Sequence, residues 1–147
     1  MIVVDASVAV KWFLPEPGSE QAAALLEHHE GELFGPDLLG VEIAATLVRG
    51  ANAVKSNRGE AESALGKFRA MAEAGVFELR RLSIDQLHQA AALAIDIGHP
   101  LKDCIYLTLA MELGCPLITA DAKFAVKARG VYGDVRVLGR DGRKIAT

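Results

Sequence analysis

Cysteine is scarce in this 147-residue chain: Cys104 and Cys115 are the only two. That is too few for a disulfide framework, and their spacing is not that of a zinc site. Long apolar runs are missing as well, since none reaches the ~18 residues of a membrane span. The opening Met1-Ile2-Val3-Val4-Asp5 has no basic leader and meets an acid too early for a signal peptide. Cofactor signatures are equally absent. No G-x-G-x-x-G follows the first apolar run, and no G-x-x-x-x-G-K-[ST] or G-x-S-x-G occurs. The histidines His28, His29, His88 and His99 lack H-E-x-x-H or paired-ligand spacing and read as surface or packing residues. These absences predict a cytoplasmic protein whose chemistry, if it has any, is done by carboxylates.

What is present is a composition built for a core. Apolar residues make up 51% of the chain and charged ones 24%, with a net charge of -3 and a mean hydropathy of +0.23. A chain of this length buries roughly 70% of its unfolded surface as one domain, and the composition is the opposite of a disordered one. One domain over residues 1–140 is expected, with Asp141 to Thr147 as a loose tail. Charge is uneven: Glu16 to Glu42 holds acids without Lys or Arg, whereas Lys123 to Thr147 is mostly basic. An acidic pI near 5.8 argues against holding nucleic acid by bulk charge.

Short apolar runs alternate with alanine-rich helical stretches. Ile2-Val3-Val4, Leu33-Phe34, Val76 to Leu82, Leu117-Ile118-Thr119 and Val135 to Leu138 read as strands. Helices are expected over Val8 to Leu14, from a cap at Ser19, from Pro36 to about Ala53, and from a capping box at Asn57 and Glu60. Three more follow: from a capping box at Ser83 and Gln86 to a stop at Gly98, from Leu101 to Leu113, and from Ala122 to Arg129. Strands separated by helices predict an α/β fold with a short, mainly parallel central sheet.

In such a sheet, sites form at the carboxyl ends of strands, where strand order reverses. Asp5 directly follows the first run, and Asp121 lies just beyond Leu117-Ile118-Thr119. Each could instead simply cap the next helix. Asp103 opens a helix that is apolar or small through Met111, where it also suits the helix dipole. Glu42 sits inside Leu38 to Val48, apolar nearly all round. A carboxylate buried there without a partner is costly, so either Arg49 or a cation should meet it. If Asp5, Glu42, Asp103 and Asp121 converge, a divalent ion would relieve their repulsion. Oxygen ligands without imidazole or thiolate select Mg²⁺ or Mn²⁺. Such a site suits phosphodiester hydrolysis, with Ser7 and Thr119 supporting the carboxylates.

Val3-Val4-Asp5-Ala6-Ser7 with Lys11-Trp12-Phe13-Leu14, then Leu101 to Ala110, then Pro116 to Asp121, resemble the PIN-domain ribonucleases in order and spacing. The resemblance covers nearly the whole chain and is strongest to the VapC toxins of toxin–antitoxin pairs. It departs at Lys102 and Cys104, where relatives often carry an aromatic and a small residue. It implies a three-layer α/β/α fold, the acidic quartet Asp5, Glu42, Asp103 and Asp121, and supporting hydroxyls at Ser7 and Thr119. It further implies Mg²⁺- or Mn²⁺-dependent endoribonuclease activity, a homodimer, and inhibition by a small cognate antitoxin. Lys11, Lys102 and Lys123 are candidates to hold substrate phosphates, against the simpler reading of solvated charges. Trp12 and Phe13 could stack a base or belong to the core. The alternative functions are a catalytically silent PIN scaffold that binds RNA or a protein, and a phosphatase using Asp5 as nucleophile.

Overall fold

The computed structural model describes residues 1–139; the expected tail from Asp141 lies outside them. Five strands form one sheet: β1 (Ile2–Val4), β2 (Leu33–Pro36), β3 (Phe77–Arg80), β4 (Leu117–Thr119) and β5 (Val135–Val137). Their order is β3-β2-β1-β4-β5 and every pairing is parallel. All residues of β1 and β4 are buried, as strands covered on both faces must be. The outer strand β3 buries Phe77 and exposes Glu78.

The helices are α1 (Ala6–Ala9), α2 (Ser19–His28), α3 (Leu38–Ala53), α4 (Arg58–Glu73), α5 (Ile84–Ile97), α6 (Leu101–Leu113) and α7 (Ala122–Arg129). Parallel crossovers are right-handed. Passing from β1 to β2 to β3 moves one way across the sheet, and reaching β4 and β5 reverses that direction. The rule therefore places α1 to α4 on one face and α5 to α7 on the other, a three-layer α/β/α arrangement. Helix α6 is the central one, buried from Cys104 to Ala110, and it packs on β1, β2 and β4.

Several local expectations shift for identifiable reasons. The first helix begins at Ala6, because the Asp5 side chain accepts the Val8 N–H, and it continues as a 3-10 turn over Val10–Trp12. Pro36 ends β2 instead of opening α3: it stands in register with Arg80, and the Asp37 N–H bonds the Arg80 carbonyl at 2.7 Å. Ser19 does not cap α2. Gly18 does, at φ +91°, while the Ser19 hydroxyl accepts the Glu16 N–H and donates to the Leu14 carbonyl. Asn57 makes no capping bond either, since a 3-10 turn over Lys55–Asn57 brings it into α4 already helical. The capping box of Ser83 and Gln86 is complete, and α5 ends at Gly98.

Candidate metal centre

The strand order reverses between β1 and β4, and the chain leaves both strands at the same end of the sheet. Val4 is paired with Ile118, so the residues one step further, Asp5 and Thr119, emerge side by side. The Asp5 N–H is bonded to the Ile118 carbonyl at 3.2 Å. Asp5 is 3% exposed. Its Oδ1 accepts the Ser7 hydroxyl at 2.5 Å and the Val8 N–H at 3.3 Å. Ser7 Oγ in turn accepts the Ala120 N–H at 2.9 Å and lies 3.4 Å from Thr119 Oγ1. Thr119 Oγ1 accepts the Asp121 N–H at 3.1 Å. One hydroxyl pair therefore ties the β1 exit to the β4 exit.

Burial raises the Asp5 carboxyl from its ordinary 3.8 to about 6. Hydrogen bonds from Ser7 and Thr119 work against that rise, and the Asp103 charge adds to it. Among the described residues no Lys, Arg or His forms a salt bridge with Asp5.

Asp103 opens α6 with a half-buried side chain, and its Oδ2 lies 2.6 Å from His99 Nε2. Asp121 is exposed and caps α7, accepting the Phe124 N–H at 3.0 Å. His99, Asp103 and Asp121 each offer a ligand atom within 4.8 Å of the other two. Glu42 projects from α3 with its side chain 21% exposed. The buried Tyr106 hydroxyl donates to Glu42 Oε1 at 2.7 Å, and Lys102 Nζ lies 3.8 Å from Oε2. The phenol is driven far above its usual range, first by burial, then by the Glu42 bond and the charges of Glu42, Asp5 and Asp103. Three acids thus press on one ring, and the fourth, Asp121, has a carboxylate oxygen within 4.8 Å of one of Asp103.

Of the partners left open for Glu42, Arg49 is turned away and donates to Thr46 Oγ1, while Tyr106 and Lys102 meet the carboxylate. The lysines also separate. Lys102 is at the cluster, Lys123 is exposed on α7, and Lys11 is turned to Glu16 at 3.3 Å, its stem over Gly18. Trp12 is a core residue, bonded through Nε1 to the Ala22 carbonyl and packed against Phe77, while Phe13 meets Phe68 edge-on. His99 and Tyr106 are the site neighbours that sequence reasoning missed. Tyr106 follows Asp103 by three residues on α6, so the two share a helix face, whereas His99 precedes α6 and is brought to Asp103 by the turn at Gly98 and Pro100.

An oxygen-rich donor set fits a hard divalent cation. Two observations agree with it: Asp5 is a buried carboxyl without a cationic partner among the described residues, and Asp103 and Asp121 converge within ligand range. Asp103 and Asp121 could hold such an ion, and Asp5 lies close enough to Asp103 for their charges to act on each other. No described helix is long and apolar enough to cross a membrane.

A family model for the PIN domain matches residues 2–130. Ribonuclease VapC3 of Pyrobaculum aerophilum is 32% identical over 130 residues, covering 86% of this chain and 93% of that protein. The crystal structure of PAE2754 from Pyrobaculum aerophilum superposes with a TM-score of 0.72 at 19% identity, over 99% of this chain and 88% of that one. A toxin–antitoxin complex from Klebsiella pneumoniae gives a TM-score of 0.61 at 19% identity, over 92% and 95% of the two chains. Both superpositions bear on the fold.

Proposed function

The chain belongs to the PIN-domain family, and from that premise we propose that it is a Mg²⁺- or Mn²⁺-dependent endoribonuclease, the toxin of a toxin–antitoxin pair. The observation that carries the reading is the convergence at one sheet end of Asp5, Glu42 and Asp103 around Tyr106, with Asp121 beside Asp103. The relative named as a ribonuclease supports the activity, and the neighbour described as a toxin–antitoxin complex supports a protein partner. RNA as substrate, a small antitoxin, a homodimeric assembly and a cytoplasmic location belong to the same proposal.

Asp5, Asp103 and Asp121 would hold the ion, and Glu42 would hold it directly or through water. When bound, a divalent cation polarises a phosphoryl oxygen, activates water and steadies the leaving oxygen. The chain's own residues do the rest. Ser7 and Thr119 fix the Asp5 carboxyl through the hydroxyl pair. Tyr106 holds Glu42 facing the cluster. Lys102 is placed to offer charge to an RNA phosphate at the exposed rim, and Lys123 lies exposed on α7. Lys11, engaged with Glu16, is not assigned to substrate.

Cleavage of total cellular RNA in Mg²⁺, Mn²⁺ and EDTA, beside Asp5→Asn and Asp103→Asn, tests the reading. Discrete fragments that vanish with EDTA and in both variants are expected. Undiminished cleavage in both variants would refute the site, and folded, metal-loaded protein that leaves all RNA intact would favour the silent scaffold.

A further inference from the structure

We propose that His99 is a positioning residue that locks the Asp103 carboxylate in its cation-holding orientation and is not itself a ligand; this rests on the metal-centre reading above. The histidine is fixed from three sides. Gly98 ends α5 at φ +64° and turns the chain so that the His99 N–H bonds back to the Ala94 carbonyl at 3.0 Å. Lys127 of α7 donates to the Gly98 carbonyl at 2.8 Å. The imidazole, its side chain 10% exposed, stacks on Phe124 with ring centres 4.7 Å apart and planes at 29°.

Phe124 links the two acids. Its backbone N–H fixes Asp121 at 3.0 Å, while its ring backs the imidazole that fixes Asp103 at 2.6 Å. An ionised carboxylate only accepts hydrogen bonds, so Nε2 of His99 carries the hydrogen in that contact. With Nε2 used in this way its lone pair is not available to a cation. Hydrogen-bonded partners of this kind set the orientation of ligating carboxylates, and their loss typically weakens metal binding roughly 10–100-fold. Helix α7 thereby aligns two ligands through one aromatic residue.

Two substitutions separate donor from ring. His99→Phe keeps a ring against Phe124 and removes the donor; His99→Gln keeps an N–H of similar reach and removes the ring. Mn²⁺ affinity is measured by calorimetry, melting in EDTA reports the fold, and electron spin-echo modulation of bound Mn²⁺ reports any nitrogen ligand. The expected result is a wild-type-like melt for His99→Phe with Mn²⁺ binding weakened roughly 10-fold or more. His99→Gln should bind close to wild type, and wild type should show no directly bound nitrogen. Should His99→Phe lose its fold, the His99→Gln affinity and the nitrogen signal decide. Equal affinity in His99→Phe and wild type, equal loss in both variants, or a bound-nitrogen signal overturns the proposal while the metal centre stands. No Mn²⁺ binding to wild type overturns both.

Discussion

Replacing Asp5 by asparagine should stabilise the metal-free protein at neutral pH while removing its activity. Asp5 is buried and its pKa is raised from 3.8 to about 6. A group raised in this way binds its proton more tightly in the native state than in the unfolded one. Its contribution to stability is greatest below pH 3.8 and is lost as pH rises to about 6. At about 1.36 kcal/mol per pKa unit, that loss amounts to about 3 kcal/mol above pH 6. Asparagine keeps an oxygen to accept from Ser7 and Val8, but its amide hydrogens need partners at a cost of about 1–2 kcal/mol. The net gain is about 1–2 kcal/mol, or roughly 3–6 °C in Tm for a chain of this length.

Calorimetric melts of both proteins in EDTA, from pH 4 to pH 8, test this. Asp5→Asn should be about 1 kcal/mol less stable than wild type at pH 4, gain on it through pH 6 and then level off above it. Mn²⁺ should raise the wild-type Tm and leave that of the variant unchanged. A difference that does not vary with pH, or a variant less stable at pH 8, would refute the argument that the cluster is strained by an uncompensated buried charge.

Tyr106→Phe removes the hydrogen bond that a buried hydroxyl gives the Glu42 carboxylate. It should cost about 1.5–3 kcal/mol in urea unfolding and lower kcat for RNA cleavage; unchanged values on both counts would remove Tyr106 from the site. In the core, a Cβ on Gly35 would lie 2.6 Å from Leu39 Cδ2, and Leu39 is fully buried. Gly35→Ala should therefore destabilise by about 1–3 kcal/mol. Gly66→Ala, on exposed α4 surface with nothing within 4 Å, should stabilise by about 0.5–1 kcal/mol in the same denaturation assay.

The parallel α/β sheet was legible because its inner strands β1, β2 and β4 are short apolar runs with no alternation, the pattern of strands buried on both faces, while the outer β3 and β5 alternate. Helices with strong local signals, such as the Ser83 box or the stretch from Leu101 to Gly114, lie where the pattern puts them. Helix starts decided by non-local pairing were not legible: the claim of Arg80 on Pro36 and Asp37 comes from a residue over forty positions away. The site divides in the same way. Asp5 and Asp121 mark strand exits in the sequence, and Glu42 stands out against its apolar helix. Its partner did not, because Arg49 is near in sequence whereas Tyr106 arrives from α6 across 64 positions. In the sequence His99 reads as a surface or packing residue, and it does pack, on Phe124. Only the folded corner between α5 and α6 also puts its Nε2 against Asp103.

The central claim is that carboxylates from α3, α6 and the exits of β1 and β4 form one divalent-cation centre. Anomalous diffraction at the manganese edge from crystals soaked in Mn²⁺ tests it most directly. The account predicts density bounded by Asp5, Asp103 and Asp121, with Glu42 facing it, and none in crystals of Asp103→Asn. Manganese bound elsewhere with this cluster empty, or undiminished density in the variant, would contradict it.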